Sequence, residues 1–208
     1  MILVTGFEPF GGLPSNPSEE VAKAADGRVI GGLLVRAAIL PVHHVEAALA
    51  ARRLLREHNP LAVLHVGLAA GRARIALERV AVNVMDYEVA DNAGYQASGE
   101  PCQPGGPAAY LATLPLAAIL EALTRKGIPA YLSNTAGTYL CNQTLYATLH
   151  AASAASKRAL VGFMHLPLSP AMVAASGLDQ PSMDPAIGVR AVELALHVIA
   201  EHLGDRPS

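Results

Sequence analysis

Short apolar runs alternate with longer stretches of helical periodicity along this chain. Residues 2–5, 29–39, 61–66, 75–84, 130–133 and 160–165 are rich in Val, Ile, Leu and Ala, and each predicts a strand. Between them, Val45, Ala48, Leu49, Arg52 and Leu55 follow helical spacing, and Pro60 closes the segment. Residues 115–126 predict a second helix, stopped by Gly127, and residues 141–155 a third. Near the end, Ile187, Ala191, Leu194, Ala195 and Val198 form an apolar stripe, with Arg190, Glu193, His197 and Glu201 on the other face. Such alternation predicts an α/β protein. The expected fold is one catalytic domain over residues 1–208, an α/β/α sandwich whose largely parallel twisted sheet is covered by helices on both faces. Residues 85–107 read as one long loop, of the kind that serves as a lid or contact surface.

Composition narrows the partners. Apolar residues make up 52% of the chain and charged ones 15%, which is the balance of an ordered globular protein. A net charge of -2 gives no basic surface, so nucleic acid and anionic membrane are not expected partners. The first residues lack the charged and long apolar regions of a signal peptide, and no apolar run reaches the length of a membrane span. Two cysteines without an export signal point to a reducing cytoplasm.

The segment from Ser133 to Asn142 carries the sharpest chemistry. It reads as a strand end, a tight turn, and Cys141 in the first turn of a helix. Open N–H groups and the positive dipole end there favour a thiolate, so the spacing predicts a lowered thiol pKa. A buried cysteine acting as a small hydrophobe fits the same segment. Cys102 lies in a Gly- and Pro-rich stretch with no base nearby, and reads as incidental in an exposed loop.

In open α/β folds, ligands collect at the carboxyl ends of strands. Three predicted strand ends carry candidates: the turn Gly6–Gly12, the Cys141 turn, and His165-Leu166-Pro167. His165 is the best placed of eight histidines to act as a base for Cys141, although it could also simply cap a strand. Glu78 falls on an apolar strand face with Ala76, Val80 and Val82, where a carboxylate needs a partner. It could orient a histidine, or pair with Arg72 or Arg74. Phe7 and Phe10 are two of only three Phe in a chain without Trp, and their turn cannot belong to a regular core stripe. They could wall a flat, neutral pocket or pack beneath the turn. The glycines at 67 and 71 lack the lysine and spacing of a phosphate loop. His43, His44 and Glu46 offer a conceivable metal pair without an apparent third ligand, so no metal site is expected.

Several segments together resemble the pyroglutamyl peptidase I (pyrrolidone carboxyl peptidase) family of cysteine peptidases. They are Gly6-Phe7-Glu8-Pro9-Phe10-Gly11-Gly12 with Asn16-Pro17-Ser18; Gly67-Leu68-Ala69 through Glu78-Arg79-Val80-Ala81-Val82-Asn83; Asp91-Asn92; Gly106-Pro107-Ala108-Ala109-Tyr110; Ala136-Gly137-Thr138-Tyr139-Leu140-Cys141-Asn142; and Phe163-Met164-His165-Leu166-Pro167. They occur in the family's order over nearly the whole chain. The resemblance implies a Glu78–Cys141–His165 triad and a substrate pocket formed by Phe7, Phe10, Asn16, Leu68, Tyr139 and Leu140. It further implies removal of N-terminal pyroglutamyl residues from peptides, no metal or other cofactor, a cytoplasmic location and a homotetramer. Two positions depart from the family pattern: Glu88 stands where an arginine is often found, and Leu68 where some members carry glutamine.

Overall fold

The computed structural model describes residues 1–155, 159–177 and 179–205. A seven-stranded sheet forms its centre, in the order β2-β3-β1-β4-β9-β5-β8. These strands are β1 (Ile2–Phe7), β2 (Val29–Ile30), β3 (Leu33–Leu40), β4 (Ala62–Leu68), β5 (Ile75–Glu78), β8 (Ala130–Ser133) and β9 (Leu160–Leu166). A separate two-stranded ribbon pairs β6 (Val80–Val82) with β7 (Ala109–Leu111). Every residue of β1, β4 and β9 is buried, which is why they read as continuous apolar runs rather than alternating ones.

Among the described residues there are six helices: α1 (Pro17–Ala25), α2 (Glu46–His58), α3 (Leu116–Arg125), α4 (Leu140–Ala154), α5 (Pro170–Ser176) and α6 (Pro185–Gly204). Strand alternation sorts the core into two faces. Ile2, Val4, Leu64, Val66, Met164 and Leu166 pack with α1, α3 and α6, including Val21, Ile119 and Leu196. Leu3, Val63, Val161 and Phe163 face the other way, toward Ala47 and Ala51 of α2 and Leu145 and Leu149 of α4. That second face also holds a buried polar chain. Thr148 Oγ1 donates to the Thr144 carbonyl, so it accepts from His65 Nε2, at 3.0 Å. His65 Nδ1 is left to accept from Thr5 Oγ1, at 2.7 Å. Complete burial holds this imidazole neutral, with its pKa lowered to about 3.

The largely parallel sheet is observed, with two refinements of the expected strands. Residues 29–39 do not form one strand. Gly31 and Gly32 both have positive φ, 55° and 76°, and close a two-residue hairpin that pairs Ile30 with Leu33. Residues 75–84 are also split. Beyond Glu78, Val161 of β9 is already taken by Thr113, which donates its N–H to the Val161 carbonyl at 2.8 Å and accepts from Val161 N at 2.7 Å. With that position filled, the chain turns at Arg79 and pairs with β7 instead, so Val80 and Val82 leave the face that Glu78 shares with Ala76.

Helix α1 was not among the expected elements, although its signals are present. Asn16 caps it, Pro17 opens it, and Glu19 and Glu20 occupy its first turn. The short α5 has the same start, with Ser169 as cap and Pro170 in its first turn. Expected helix ends shift by only a residue or so; α4, for instance, begins at Leu140.

Candidate active site

β4 and β9 run parallel and place Gly67 beside His165. β5 runs antiparallel to β9, with Ala76 opposite His165 and Glu78 opposite Phe163. Glu78 and His165 are therefore diagonal neighbours on one sheet face, within reach of side chains. Their contact is a 2.8 Å hydrogen bond between His165 Nδ1 and Glu78 Oε1. A carboxylate accepts, so Nδ1 carries the proton and Nε2 is the nitrogen with a free lone pair.

Arg72 donates to the same Oε1 at 2.7 Å. The two partners left open for Glu78 in sequence thus act together, whereas Arg74 stacks its guanidinium over Tyr131. Burial alone would raise the Glu78 pKa. The hydrogen bond and charge of His165, then Ser133 and Arg72, outweigh it and hold the carboxyl below its ordinary value. Glu78 Oε2 is buried without a geometric hydrogen-bond partner, and Ser133, its register neighbour on β8, turns its hydroxyl to the Thr135 carbonyl at 3.1 Å.

Cys141 reaches the same place by a longer route. β8 runs parallel to β5, hence against β9, and ends at Ser133 beside Glu78. Its carboxyl end does not share the sheet edge where β1, β4 and β9 terminate, as the strand pattern had suggested. Residues 134–139 carry the chain to α4. Tyr139 offers no side-chain cap there, so no capping side chain occupies the first-turn N–H groups. Asn142 anchors this helix start: its Oδ1 accepts from Val82 N at 2.8 Å, and its Nδ2 donates to the Val82 and Val84 carbonyls. The Cys141 sulfur lies over Gly67, where an added Cβ would come within 3.1 Å of it.

The expected lowering of the Cys141 pKa is not what the surroundings produce. Burial pushes the thiol up to about 12, the Glu78 charge adds to the rise, and Arg72 with the local backbone N–H only partly offsets them. Burial likewise pulls the His165 pKa down, more than the Glu78 hydrogen bond and charge raise it. Burial thus favours the neutral thiol and the neutral imidazole.

A cavity of about 380 Å³ opens beside Cys141 and His165. Every expected pocket residue lines it: Phe7, Phe10, Asn16, Leu68, Tyr139 and Leu140. The Phe10 and Tyr139 rings meet at 5.8 Å, and Phe7 rests on Phe163 at 6.3 Å. Asn16 braces the turn that carries both phenylalanines. Its Nδ2 donates to the Glu8 carbonyl and its Oδ1 accepts from Ser18 N and Ser18 Oγ, while Ser18 Oγ accepts from Phe7 N.

The loop after β6 roofs this cavity. Asn92 Nδ2 donates to Glu8 Oε1 and the Pro9 carbonyl, and Thr138 Oγ1 donates to the Asp86 carbonyl at 2.6 Å. Thr138, Asn92, Asn142 and Gly67 were missed as contributors to the site. For Gly67 a signal existed, since glycine inside an apolar strand marks a close approach. Cys102 is half-buried rather than loop-exposed, its sulfur 3.4 Å from the Val84 carbonyl. His43 and His44 meet Asp91 rather than Glu46, with ligand atoms within 4.8 Å. These groups already have partners. Asp91 accepts from the N–H groups of His44, Ala93 and Tyr95 and contacts His44 Nδ1, and His43 Nδ1 accepts from Val45 N.

A thiol, an imidazole and a buried carboxylate on one face of an α/β/α sandwich, beside an aromatic-walled cavity, define the class of a cysteine hydrolase. A family model described as pyroglutamyl peptidase matches residues 1–202. The chain is 42% identical over 205 residues to the pyrrolidone-carboxylate peptidase of Pyrococcus furiosus, covering 97% of this chain and 99% of that one. It is 45% identical over 202 residues to that of Deinococcus radiodurans, covering 96% and 92%. A solved structure of a mutant pyrrolidone carboxyl peptidase from Pyrococcus furiosus superposes with a TM-score of 0.94, at 42% identity over 97% of this chain and 99% of that one. The chain belongs to the pyroglutamyl peptidase family of cysteine peptidases.

Proposed function

We propose that this enzyme removes N-terminal pyroglutamyl residues with Cys141 as nucleophile, His165 as general base and acid, and Glu78 as the group that orients His165 and stabilises its imidazolium. The observation that carries the assignment is the 2.8 Å His165–Glu78 hydrogen bond, in a site whose cavity is also lined by Cys141. It directs Nε2, not Nδ1, to the proton-transfer task.

Since burial favours both neutral forms, proton transfer accompanies attack. His165 Nε2 takes the thiol proton as the sulfur bonds to the pyroglutamyl carbonyl carbon, and the C=O electron pair moves to oxygen. N–H groups of the first turn of α4 receive that oxyanion; losing one such donor typically costs about 3 kcal/mol. The imidazolium, stabilised by Glu78, then protonates the leaving amine as the C–N bond breaks. Water, deprotonated by His165, hydrolyses the remaining thioester and frees the thiol.

The cavity suits the substrate's chemistry. A pyroglutamyl ring is flat, small and uncharged, and the Phe10 and Tyr139 rings offer it apolar surface. Leu68, with Ala69 and Ala70 beside it, adds an apolar wall and no side-chain donor. The same reading has the whole chain act as one catalytic domain, in the cytoplasm, as a homotetramer, without cofactor. The two free thiols suit a reducing compartment, and the family resemblance supports the assembly. Among the described residues no helix is long and apolar enough to cross a membrane.

Hydrolysis of a chromogenic pyroglutamyl amide by the wild type, and its loss in Cys141→Ser with the fold intact, tests the assignment. Equal turnover by Cys141→Ser and the wild type would remove Cys141 from the mechanism. Light scattering on the purified protein tests the tetramer.

A further inference from the structure

We infer that Glu88 reads the residue following the pyroglutamyl group and favours a basic side chain there. This rests on the pyroglutamyl-peptidase reading above. Ala70, Glu88 and Gly137 are the exposed residues lining the catalytic cavity, so they mark its mouth. Among the described residues, Glu88 is the only acidic one in that lining.

Arg72, the guanidinium in that lining, is committed elsewhere. Its guanidinium donates to Glu78 Oε1 at 2.7 Å and to the Thr135 carbonyl at 3.5 Å. The Glu88 carboxylate, in contrast, makes no hydrogen bond or ion pair with any described residue; only its backbone carbonyl is engaged, by Gln96 Nε2 at 3.3 Å. An unneutralised carboxylate at the mouth imposes a local negative potential on whatever passes it. Asp86, exposed nearby in the chain, has the same sign.

The backbone under Glu88 is pinned to the turn that leads into the Cys141 helix. Asp86 N donates to the Thr138 carbonyl at 3.1 Å, and Thr138 Oγ1 donates back to the Asp86 carbonyl at 2.6 Å. On the far side of Glu88, Tyr139 donates its hydroxyl to the Ala90 carbonyl at 3.3 Å. Glu88 is thus held between two ties to the residues preceding the nucleophile.

The substrate's first residue cannot be what this charge recognises. The pyroglutamyl nitrogen is a lactam amide, so that residue has no ammonium group to anchor. The peptide beyond the scissile bond must leave the cavity through its mouth, where its first side chain passes Glu88. A Lys or Arg side chain there gains attraction, and a Glu or Asp side chain meets a like charge.

The experiment compares kcat/KM for pyroglutamyl-lysine amide, pyroglutamyl-alanine amide and pyroglutamyl-glutamate amide. They are read as ratios within the wild type, Glu88→Gln and Glu88→Lys, at low and high salt. At low salt the wild type is expected to prefer the lysine over the glutamate peptide by roughly three- to tenfold, with the alanine peptide between. Salt should shrink that ratio, Glu88→Gln should bring it near one, and Glu88→Lys should invert it. Equal cleavage of the lysine and glutamate peptides by the wild type overturns the inference while leaving the peptidase reading intact. So does a preference that survives in Glu88→Gln. Failure to cleave any of the three removes the peptidase reading itself, and this inference with it.

Discussion

Glu78 and His165 meet across an antiparallel strand pair, Oε1 to Nδ1 at 2.8 Å, inside a sheet that is otherwise largely parallel. The reversal of β5 makes this contact possible. A carboxylate on that strand points along the same face as His165, and Arg72 approaches it from the turn before β5.

Glu78→Gln tests the role of that carboxylate. The amide can still bond Nδ1, yet it can present its NH2 group and favour the wrong tautomer, and it stabilises imidazolium poorly. The expected outcome is a folded protein whose kcat falls by about two to four orders of magnitude. The neutralised side chain also leaves Arg72 without its buried partner, so thermal stability should drop modestly. A variant with kcat near wild type would exclude Glu78 from the mechanism.

The protonation state of Cys141 has a pH signature. With the thiol raised to about 12 and the His165 pKa lowered by burial, the expected active form is a neutral pair. Protonating His165 removes the base, so kcat/KM should fall only below its ordinary value near 6.5. Alkylation of Cys141 by iodoacetamide should keep rising beyond pH 9, as thiolate accumulates. Site-resolved mass spectrometry against Cys102, itself raised to about 11, gives an internal comparison. A labelling rate for Cys141 that levels off near pH 7 would show a preformed thiolate–imidazolium pair instead.

Gly67→Ala should injure the site directly. Its Cβ would stand 2.7 Å from Phe163 Cζ and 3.1 Å from Cys141 Sγ. Overpacking of this kind costs about 1–3 kcal/mol, and it displaces the sulfur relative to His165. We expect a lower Tm together with a loss of kcat of at least about tenfold in the folded fraction. Wild-type kcat in a folded Gly67→Ala protein would mean that the strand gives way without moving Cys141.

His65 should make the fold acid-sensitive. Its folded pKa is about 3, against the ordinary 6.5, so between those values the unfolded chain binds the extra proton. The stability it confers is complete above about pH 6.5 and declines as pH falls toward 3, by up to about 1.4 kcal/mol per unit. His165 acts in the same direction, and Asp91, lowered to about 2, adds a further loss at lower pH. Denaturant midpoints measured from pH 7 to 4 should fall less steeply in His65→Gln than in the wild type. Parallel slopes would assign the acid sensitivity to other groups.

The sequence by itself determined the fold class, the strand-rich core and the identity of Cys141 and His165 as candidates. Those features are local or periodic: apolar runs, a turn before a helix, a histidine at a strand end. The ordered motifs supplied the triad and the pocket residues through family resemblance. Tertiary structure decided what depends on contacts between distant segments. Strand direction is one such property, since apolar pattern is the same whichever way a strand runs, and the direction of β5 brings Glu78 to His165. Glu78 could have paired with arginine or histidine, and folding gave one oxygen to both. The thiol shows the limit most sharply. Its helix position argued for a low pKa, but how completely the sulfur is buried, and how near Glu78 lies, are set by chain segments far away in sequence. Desolvation is a property of everything packed around a group, so only the assembled structure fixes it.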